Sequence, residues 1–182
     1  MMSPMHNCSR RAFLGTVLGA VPALAWSRPL LAESEGGRAL RFAHTHTGEH
    51  LAVEYFSGGA YLPDALSTVN HFLRDFRTGD EHVIDPQLLD LLHRLAAATD
   101  TTKPFQVISG YRSPATNEML RHRSEGVAAG SLHMVGQAID IRLADVRLDH
   151  LRQAALDARR GGVGYYPASD FVHVDTGRVR MW

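Results

Sequence analysis

Two segments near the carboxyl end of the sequence carry side chains whose types and spacing suit a metal site. In SLHMVGQAID, His133 precedes Asp140 by seven residues, and DFVHVDTG carries His173 followed by Asp175. Two imidazoles and one carboxylate with an open fourth position are the ligand set of a catalytic zinc ion, and other divalent ions also accept it. Bound zinc lowers the pKa of its water to about 7, which makes a hydroxide nucleophile near neutral pH.

The residues around these side chains predict how they converge. Asp140 lies on the predicted strand GQAIDIRL, and His133 comes just before a turn at Gly136. Glycine tolerates the bend that would fold His133 back toward Asp140. If the predicted strand DFVHVDTG is a neighbour of the first strand, His173 reaches the same point.

Hydrolysis at such a site also needs a base and a cation. Asp170 lies three residues before His173, and Arg112 follows the predicted strand FQVISG. We expect Asp170 to take a proton from water and Arg112 to stabilise the oxyanion, although Asp170 could instead be a surface loop acid. Asp175 is expected to contact a metal ligand from behind, or to end its strand in a turn.

The rest of the chain predicts the elements that position these residues. Alternating residues predict a hairpin with strands at Leu40–His44 and Leu51–Phe56. Helical periodicity predicts two helices, in LPDALSTVNHFLRDFRT and DPQLLDLLHRLAAAT. Two more are expected, one beginning at Ser113-Pro114 and one closed by Gly161 and Gly162. This order favours an α+β fold, a single compact domain with a central, mostly antiparallel sheet and flanking helices.

A second histidine cluster lies on the predicted hairpin. His44, His46 and His50 are close in sequence, and their alternation places the first two on one face. A second metal site is one interpretation of this cluster. We expect a solvated hairpin instead.

The first residues have the features of an export signal. Residues 9–14, SRRAFL, form a twin-arginine motif, and the uncharged stretch at 12–25 is too short to span a bilayer. Small residues offer cleavage sites after Ala25 or Ala32. We expect a leader that engages the twin-arginine translocase and delivers the protein to the periplasm, and the alternative is an uncleaved membrane anchor.

Composition limits what the remaining chain can do. We expect a signal peptide at 1–32, a linker at 33–38 and one folded domain at 39–182, which does not span a membrane after leader cleavage. The chain carries 19 basic and 19 acidic residues, so no net positive charge favours nucleic acid. Its only cysteine, Cys8, lies in the leader, so any metal ligand in the domain must be His, Asp or Glu.

The motifs resemble those of a known family. SLHMVGQAID fits the SxHxxGxAxD signature of the M15 metallopeptidases, which include D-Ala-D-Ala carboxypeptidases and dipeptidases. DFVH fits their second signature, and SGYRS matches their upstream strand and arginine. HTGE, VNHFLRDFR, GGVGYYP and FVHVDTG further resemble the YcbK-like branch, in the same order along nearly the whole chain.

The resemblance implies a role for each matching residue. His133, Asp140 and His173 would be the ligands of one zinc ion per chain. Ser131 and Arg112 would line the substrate site. The implied fold is the compact α+β fold shared by D-Ala-D-Ala peptidases and hedgehog signalling domains.

The resemblance also implies an activity, the zinc-dependent hydrolysis of peptide cross-links in peptidoglycan during wall growth and remodelling. The wider family often has glutamate where this chain has Asp170, one methylene shorter. Two alternatives stay open at this point. One is a D-Ala-D-Ala carboxypeptidase or dipeptidase, and the other is a non-catalytic, zinc-containing module that binds murein.

Overall fold

A computed structural model describes Met1, residues 36–123 and residues 126–182. Eight strands form one sheet, in chain order β1 (Arg38–His44), β2 (His50–Ser57), β3 (Ala60–Tyr61), β4 (Phe105–Ser109), β5 (Ala138–Arg142), β6 (Gly162–Tyr166), β7 (Phe171–Asp175) and β8 (Arg180–Met181). The α-helices of the described residues are α1 (Pro63–Phe72), α2 (Pro86–Ala98), α3 (Pro114–Arg123) and α4 (Leu148–Ala158). Short 3-10 helices occur at Leu132–Val135 and Pro167–Ser169.

The strands are ordered β3-β2-β1-β4-β5-β7-β6-β8 across the sheet. The pairs β1–β4 and β6–β8 are parallel, and the other neighbouring pairs are antiparallel. This arrangement confirms the predicted α+β class with a mostly antiparallel sheet. The predicted signal peptide, Met1 apart, and the first part of the expected linker lie outside the described residues.

The two faces of β5 have different surroundings. Ile139 and Ile141 belong to the buried core, together with Leu92 of α2 and Leu151 of α4. Because side chains alternate along a strand, Asp140 lies on the opposite face. The helices α2 and α4 therefore cover one face of this part of the sheet and leave the other for the polar side chains. In the part of the chain that the structure describes, no helix has the length and apolar character that a membrane crossing requires.

The hairpin of β1 and β2 forms as predicted, and two of its three clustered histidines, His46 and His50, are exposed as expected. His44 is only 3% exposed, and its ring packs against those of Phe72 and Phe76. The backbone N–H groups of His46 and Thr47 donate to its Nδ1 atom. The expectation of a solvated hairpin is therefore wrong for His44, which has a role in packing.

Helix α1 is shorter than its apolar periodicity predicts. It ends at Phe72, and Phe76 lies in the loop that follows. The buried carboxylate of Asp75 accepts hydrogen bonds from the backbone N–H groups of Arg77 and Ser113, which directs this loop away from the helix axis. A long-range contact thus ends the helix before its periodicity does.

The end of α4 also differs from the prediction that Gly161 and Gly162 close it. The helix ends at Ala158, and Arg159 takes the left-handed conformation that ends it, with φ of 49°. Gly161 and Gly162 instead pass close to Asp175. A Cβ atom on Gly161 would collide with the backbone carbonyl of Asp175, so this glycine allows two chain segments to approach each other.

Candidate metal centre

His133 is positioned by a short helix and one backbone carbonyl. It lies in the 3-10 helix Leu132–Val135, which ends at Gly136 with φ of 68°, as the predicted turn requires. The Nδ1–H group of His133 donates to the backbone carbonyl of Gly110 at 2.7 Å. Because that bond places the proton on Nδ1, the neutral imidazole presents the lone pair of Nε2 to the other side.

Asp140 and His173 are brought together by register. They are direct partners on the antiparallel strands β5 and β7. The Nε2–H group of His173 donates to Oδ2 of Asp175 at 3.1 Å, so its Nδ1 atom faces Asp140. Asp175 is fully buried and also accepts hydrogen bonds from the Gly162 backbone and the Arg180 guanidinium. Asp175 therefore lies on the side of His173 away from the triangle.

Three donor atoms meet at one point. Nε2 of His133 lies 3.2 Å from Oδ1 of Asp140 and 3.2 Å from Nδ1 of His173, and Nδ1 of His173 lies 2.8 Å from that same oxygen. Tetrahedral zinc with ligand bonds of about 2.0–2.1 Å separates its ligand atoms by about 3.3 Å, so the triangle has the right size. Within the described ranges, these residues are the one group of at least three His, Cys, Asp or Glu side chains whose donor atoms lie within 4.8 Å.

The electrostatics of the triangle favour a bound cation. Two imidazole nitrogens and a carboxylate oxygen face one another in a buried space, where a positive charge placed between them is stabilised more strongly than in water. Burial lowers the pKa of His133. Burial also opposes charge on His173, but the hydrogen bonds and charges of Asp140 and Asp175 outweigh it and raise its pKa to about 9. A metal ion that binds Nδ1 of His173 therefore replaces a proton there at neutral pH. The two histidines differ because only His173 contacts two carboxylates.

Arg112 lies beside this triangle, three residues beyond the end of β4. Its backbone N–H donates to the His133 carbonyl at 3.2 Å. Its Nη2 atom lies 3.4 Å from both Oδ2 of Asp140 and Oγ of Ser109. Burial lowers the pKa of Arg112, and the charge of Asp140 opposes that shift. The predicted cation therefore adjoins the carboxylate of the centre.

Asp170 and Ser131 lie farther out. Asp170 follows the 3-10 helix Pro167–Ser169, and its carboxylate is 2.8 Å from the Arg142 guanidinium. Arg142 follows Asp140 by two residues on β5, so its side chain lies on the same face of the sheet. Ser131 is half-buried before the 3-10 helix, and its carbonyl accepts from the Met134 N–H. Among the described residues, neither predicted side chain bonds directly to the triangle.

The C-terminal strand contributes side chains that the sequence analysis missed. Arg180 pairs with Asp175 at 2.7 Å, and the Trp182 ring lies 5.2 Å from the His173 ring. The sequence feature that could have indicated a returning strand is the Asp-Thr-Gly triplet that begins at the last residue of β7, because such residues favour a turn that reverses the chain. The carbonyl of Gly110 was also missed, since no side chain marks it.

Comparison with known proteins assigns the chain to a family. Residues 32–182 match the M15 peptidase family described as peptidoglycan L,D-endopeptidase MepK. The chain belongs to this M15 family. The match includes every residue of the candidate metal centre, and it confirms the resemblance seen in the motifs.

Individual members of the family are similar over most of their length. The peptidoglycan L,D-endopeptidase MepK of Escherichia coli strain K12 is 50% identical over 145 residues, which are 80% of this chain and 80% of that protein. The Shigella flexneri protein of the same name gives the same values. A Haemophilus influenzae protein, named as a probable peptidoglycan L,D-endopeptidase MepK, is 42% identical over 146 residues, 80% of this chain and 78% of that protein.

Proposed function

We propose that this protein is a zinc-dependent endopeptidase that hydrolyses peptide cross-links of peptidoglycan. The observation that carries the proposal is the triangle of two imidazole nitrogens and one carboxylate oxygen, buried and sized for a tetrahedral metal ion. Relatives that are 50% identical are named peptidoglycan L,D-endopeptidases, which supports peptidoglycan as the substrate.

In this proposal His133, Asp140 and His173 hold the zinc ion through Nε2, Oδ1 and Nδ1. When bound, the ion supplies a Lewis acid for the amide carbonyl and an activated water as nucleophile. Gly110 and Asp175 each accept a hydrogen bond from one imidazole, which fixes the tautomer that presents a lone pair to the metal.

Arg112 and Asp170 have the remaining roles. The Arg112 guanidinium is buried beside Asp140 and stabilises negative charge that develops on the carbonyl oxygen. Asp170 takes the proton of the attacking water and delivers it to the leaving amine. Its contact with Arg142 holds it on the site face of the sheet, and Ser131 lines the substrate path.

The proposed substrate determines where the protein has to work. Peptidoglycan lies outside the cytoplasmic membrane, so a peptidase of this kind has to be exported. We propose that residues 1–32 are a twin-arginine signal peptide and that the mature peptidase works in the periplasm. Replacing Arg10 and Arg11 together by lysine should leave the precursor in the cytoplasm, and normal periplasmic accumulation would contradict this route.

Digestion of purified muropeptides tests the activity. Zinc-loaded protein should convert cross-linked dimers into monomers, and the His133→Ala variant should not. Release of free D-alanine would indicate a carboxypeptidase instead. Binding of muropeptides with no product would indicate a non-catalytic module.

A further inference from the structure

An aromatic strip lies beside the candidate metal centre, on the same face of the sheet. We define it by Tyr166, Phe171 and Trp182. On β6 and β7, Gly164 is the partner of His173, and Tyr166 is the partner of Phe171. Because residues two apart share a face, Tyr166 and Phe171 lie on the side of the sheet that carries His173. Their rings stack with centroids 4.6 Å apart.

Trp182 joins this strip to His173. Its backbone N–H donates to the Val163 carbonyl at 3.2 Å, and its carbonyl accepts from the Tyr165 N–H at 3.1 Å. The Arg180 guanidinium lies 4.8 Å from the Trp182 ring centroid. These contacts hold the indole next to the His173 ring, while 49% of the residue stays exposed.

The hydrogen bond between Trp182 and Tyr166 leaves one donor unused. The indole Nε1–H donates to the Tyr166 hydroxyl oxygen at 2.7 Å. Indole nitrogen only donates, so the phenol oxygen is the acceptor and its own hydrogen has to find another partner. No acceptor for that hydrogen occurs in the described parts of the chain. The phenol is therefore fixed in place and ready to donate.

Gly164 makes this arrangement possible. A Cβ atom at this position would lie 2.8 Å from Cε2 of Trp182 and 2.8 Å from Cε2 of Tyr166. The absence of a side chain opposite His173 lets both rings cross β6. Contacts run from the His173 ring through the Trp182 indole to the Tyr166 hydroxyl, so the phenol lies on the face of the sheet that carries the centre.

We propose that Tyr166 is a substrate-binding residue, and that its phenol donates a hydrogen bond to a carbonyl or carboxylate oxygen of the stem peptide beside the scissile amide. Trp182 is a positioning residue that fixes the phenol oxygen. The inference rests on the proposed peptidase function, because it assumes that a stem peptide lies along this face. Peptides of this kind carry carbonyl and carboxylate oxygens that accept such a bond.

The test compares Tyr166→Phe, which removes only the hydroxyl, with Tyr165→Phe. Tyr165 is the neighbour on β6, and its ring lies on the other side of the strand, 5.0 Å from the Arg152 guanidinium. For zinc-loaded protein, Tyr166→Phe should raise the KM for a cross-linked dimer by about fivefold to tenfold, the effect of one hydrogen bond, with kcat within about twofold. Tyr165→Phe should leave both constants unchanged.

Two further measurements test the hydrogen bond proposed for the Tyr166 hydroxyl. Calorimetry with the muropeptide monomer, a product that is not cleaved again, should show the same rise in Kd for Tyr166→Phe. Trp182→Phe keeps a ring but loses the N–H, so it should weaken binding in wild type and have little effect in the Tyr166→Phe background. Unchanged KM and Kd in Tyr166→Phe, additive effects of the two changes, or a fall in kcat alone would overturn the inference. A wild type that binds the monomer but cleaves no dimer would instead contradict the proposed function.

Discussion

The carboxylate of Asp175 and the imidazole of His173 meet on one strand, with Oδ2 3.1 Å from Nε2. This contact determines which nitrogen of His173 faces the metal position. Asp175 is itself fixed by the backbone N–H groups of Gly162 and Gly177 and by the Arg180 guanidinium. The C-terminal strand therefore acts on the centre through Asp175, although it contributes no candidate ligand.

Replacing Asp175 by asparagine should weaken zinc binding. The amide has lost the negative charge that supports the His173 tautomer, and loss of such a partner typically lowers metal affinity by about 10-fold to 100-fold. Competition with a fluorescent zinc chelator measures the change. Asp149→Asn, an exposed acid on α4, is the control and should bind zinc normally. Unchanged zinc affinity in Asp175→Asn would contradict this prediction, because it would mean that the negative charge of Asp175 does not support zinc binding by His173.

Metal content tests the three candidate ligands directly. Purified protein should hold about one zinc ion per chain, and His133→Ala and His173→Ala should each lose it, because each removes one of three protein ligands. Chelation should also lower the Tm of the wild type, since the ion binds only the folded protein. His122→Ala, which changes an exposed histidine, should keep full zinc content. Full retention by both ligand variants would mean that the site lies elsewhere.

Elements with local signals were predicted well. Helix α2 begins as its sequence predicts, with the Asp85 side chain accepting from the Gln87 N–H and Pro86 in the first turn. The hairpin and strands β5 and β7 also form where alternation placed them, because periodicity and capping depend on neighbours in sequence. The convergence of His133, Asp140 and His173 was predicted only on the condition that the two strands are neighbours, because alternation determines the face of each side chain but not the partner of a strand.

Features that depend on distant contacts were not predicted. Strands β6 and β8 are short and rich in glycine or charge, so no periodicity marks them. The glycines of β6 are explained only by side chains that pack against them in the folded protein. A Cβ atom on Gly162 would collide with the Asp175 side chain, and one on Gly164 would collide with two aromatic rings. The early end of α1 depends on Asp75, whose partner Ser113 is 38 residues away in sequence. Such contacts exist only once the sheet has formed.

Asp75 should couple stability to pH. Its carboxylate, 1% exposed, accepts from the Ser113 N–H and hydroxyl at 2.9 and 2.7 Å. Burial opposes ionisation, but hydrogen bonds from Thr116, Ser113 and Arg77 outweigh it and lower the pKa of Asp75. Because the pKa of Asp75 is lower in the folded than in the unfolded protein, the ionised carboxylate stabilises the fold at pH values above the unfolded pKa of about 4. This stabilisation is lost as the pH falls toward the pKa of the folded protein.

The Asp75→Asn variant measures this contribution. Its amide keeps the shape but turns an N–H group toward a buried donor, so the free energy of unfolding at pH 7 should fall by about 1–3 kcal/mol. The difference from wild type should shrink below about pH 4, where the wild-type carboxylate begins to lose its charge. Urea unfolding at both pH values tests this. Asp80→Asn changes an exposed acid in the same loop and should have little effect. A difference independent of pH would contradict the electrostatic explanation.

Arg112→Ala should separate catalysis from metal binding. The guanidinium contacts Oδ2 of Asp140, whereas Oδ1 is the oxygen that faces both imidazoles. Zinc content should therefore be retained, and kcat should fall by about 100-fold or more, the typical loss when one oxyanion donor is removed. Arg121→Ala, on the exposed side of α3, is the control. Near-normal kcat in Arg112→Ala would remove Arg112 from the proposed mechanism.

Two variants can distinguish a catalytic role of Asp170 from a structural one, because its ion-pair partner Arg142 can be changed separately. Asp170→Asn keeps the shape and can still accept a hydrogen bond from Arg142, but it cannot take a proton. If Asp170 is the base, this variant should keep its zinc and lose about 10²–10⁴ in rate, the usual range for general acid–base catalysis. Arg142→Gln breaks the 2.8 Å contact and leaves the carboxylate, so it should retain far more activity than Asp170→Asn.

Zinc content and dimer cleavage should be measured on the same samples of both variants, so that a loss of rate is not mistaken for a loss of metal. Equal losses in the two variants would show that the ion pair matters for the position of the loop after the 3-10 helix Pro167–Ser169. Near-normal cleavage by Asp170→Asn would contradict the assignment outright. The proton acceptor would then have to be another group on this face, because Asp175 is fully buried and its oxygens are taken up by His173, Arg180 and two backbone N–H groups.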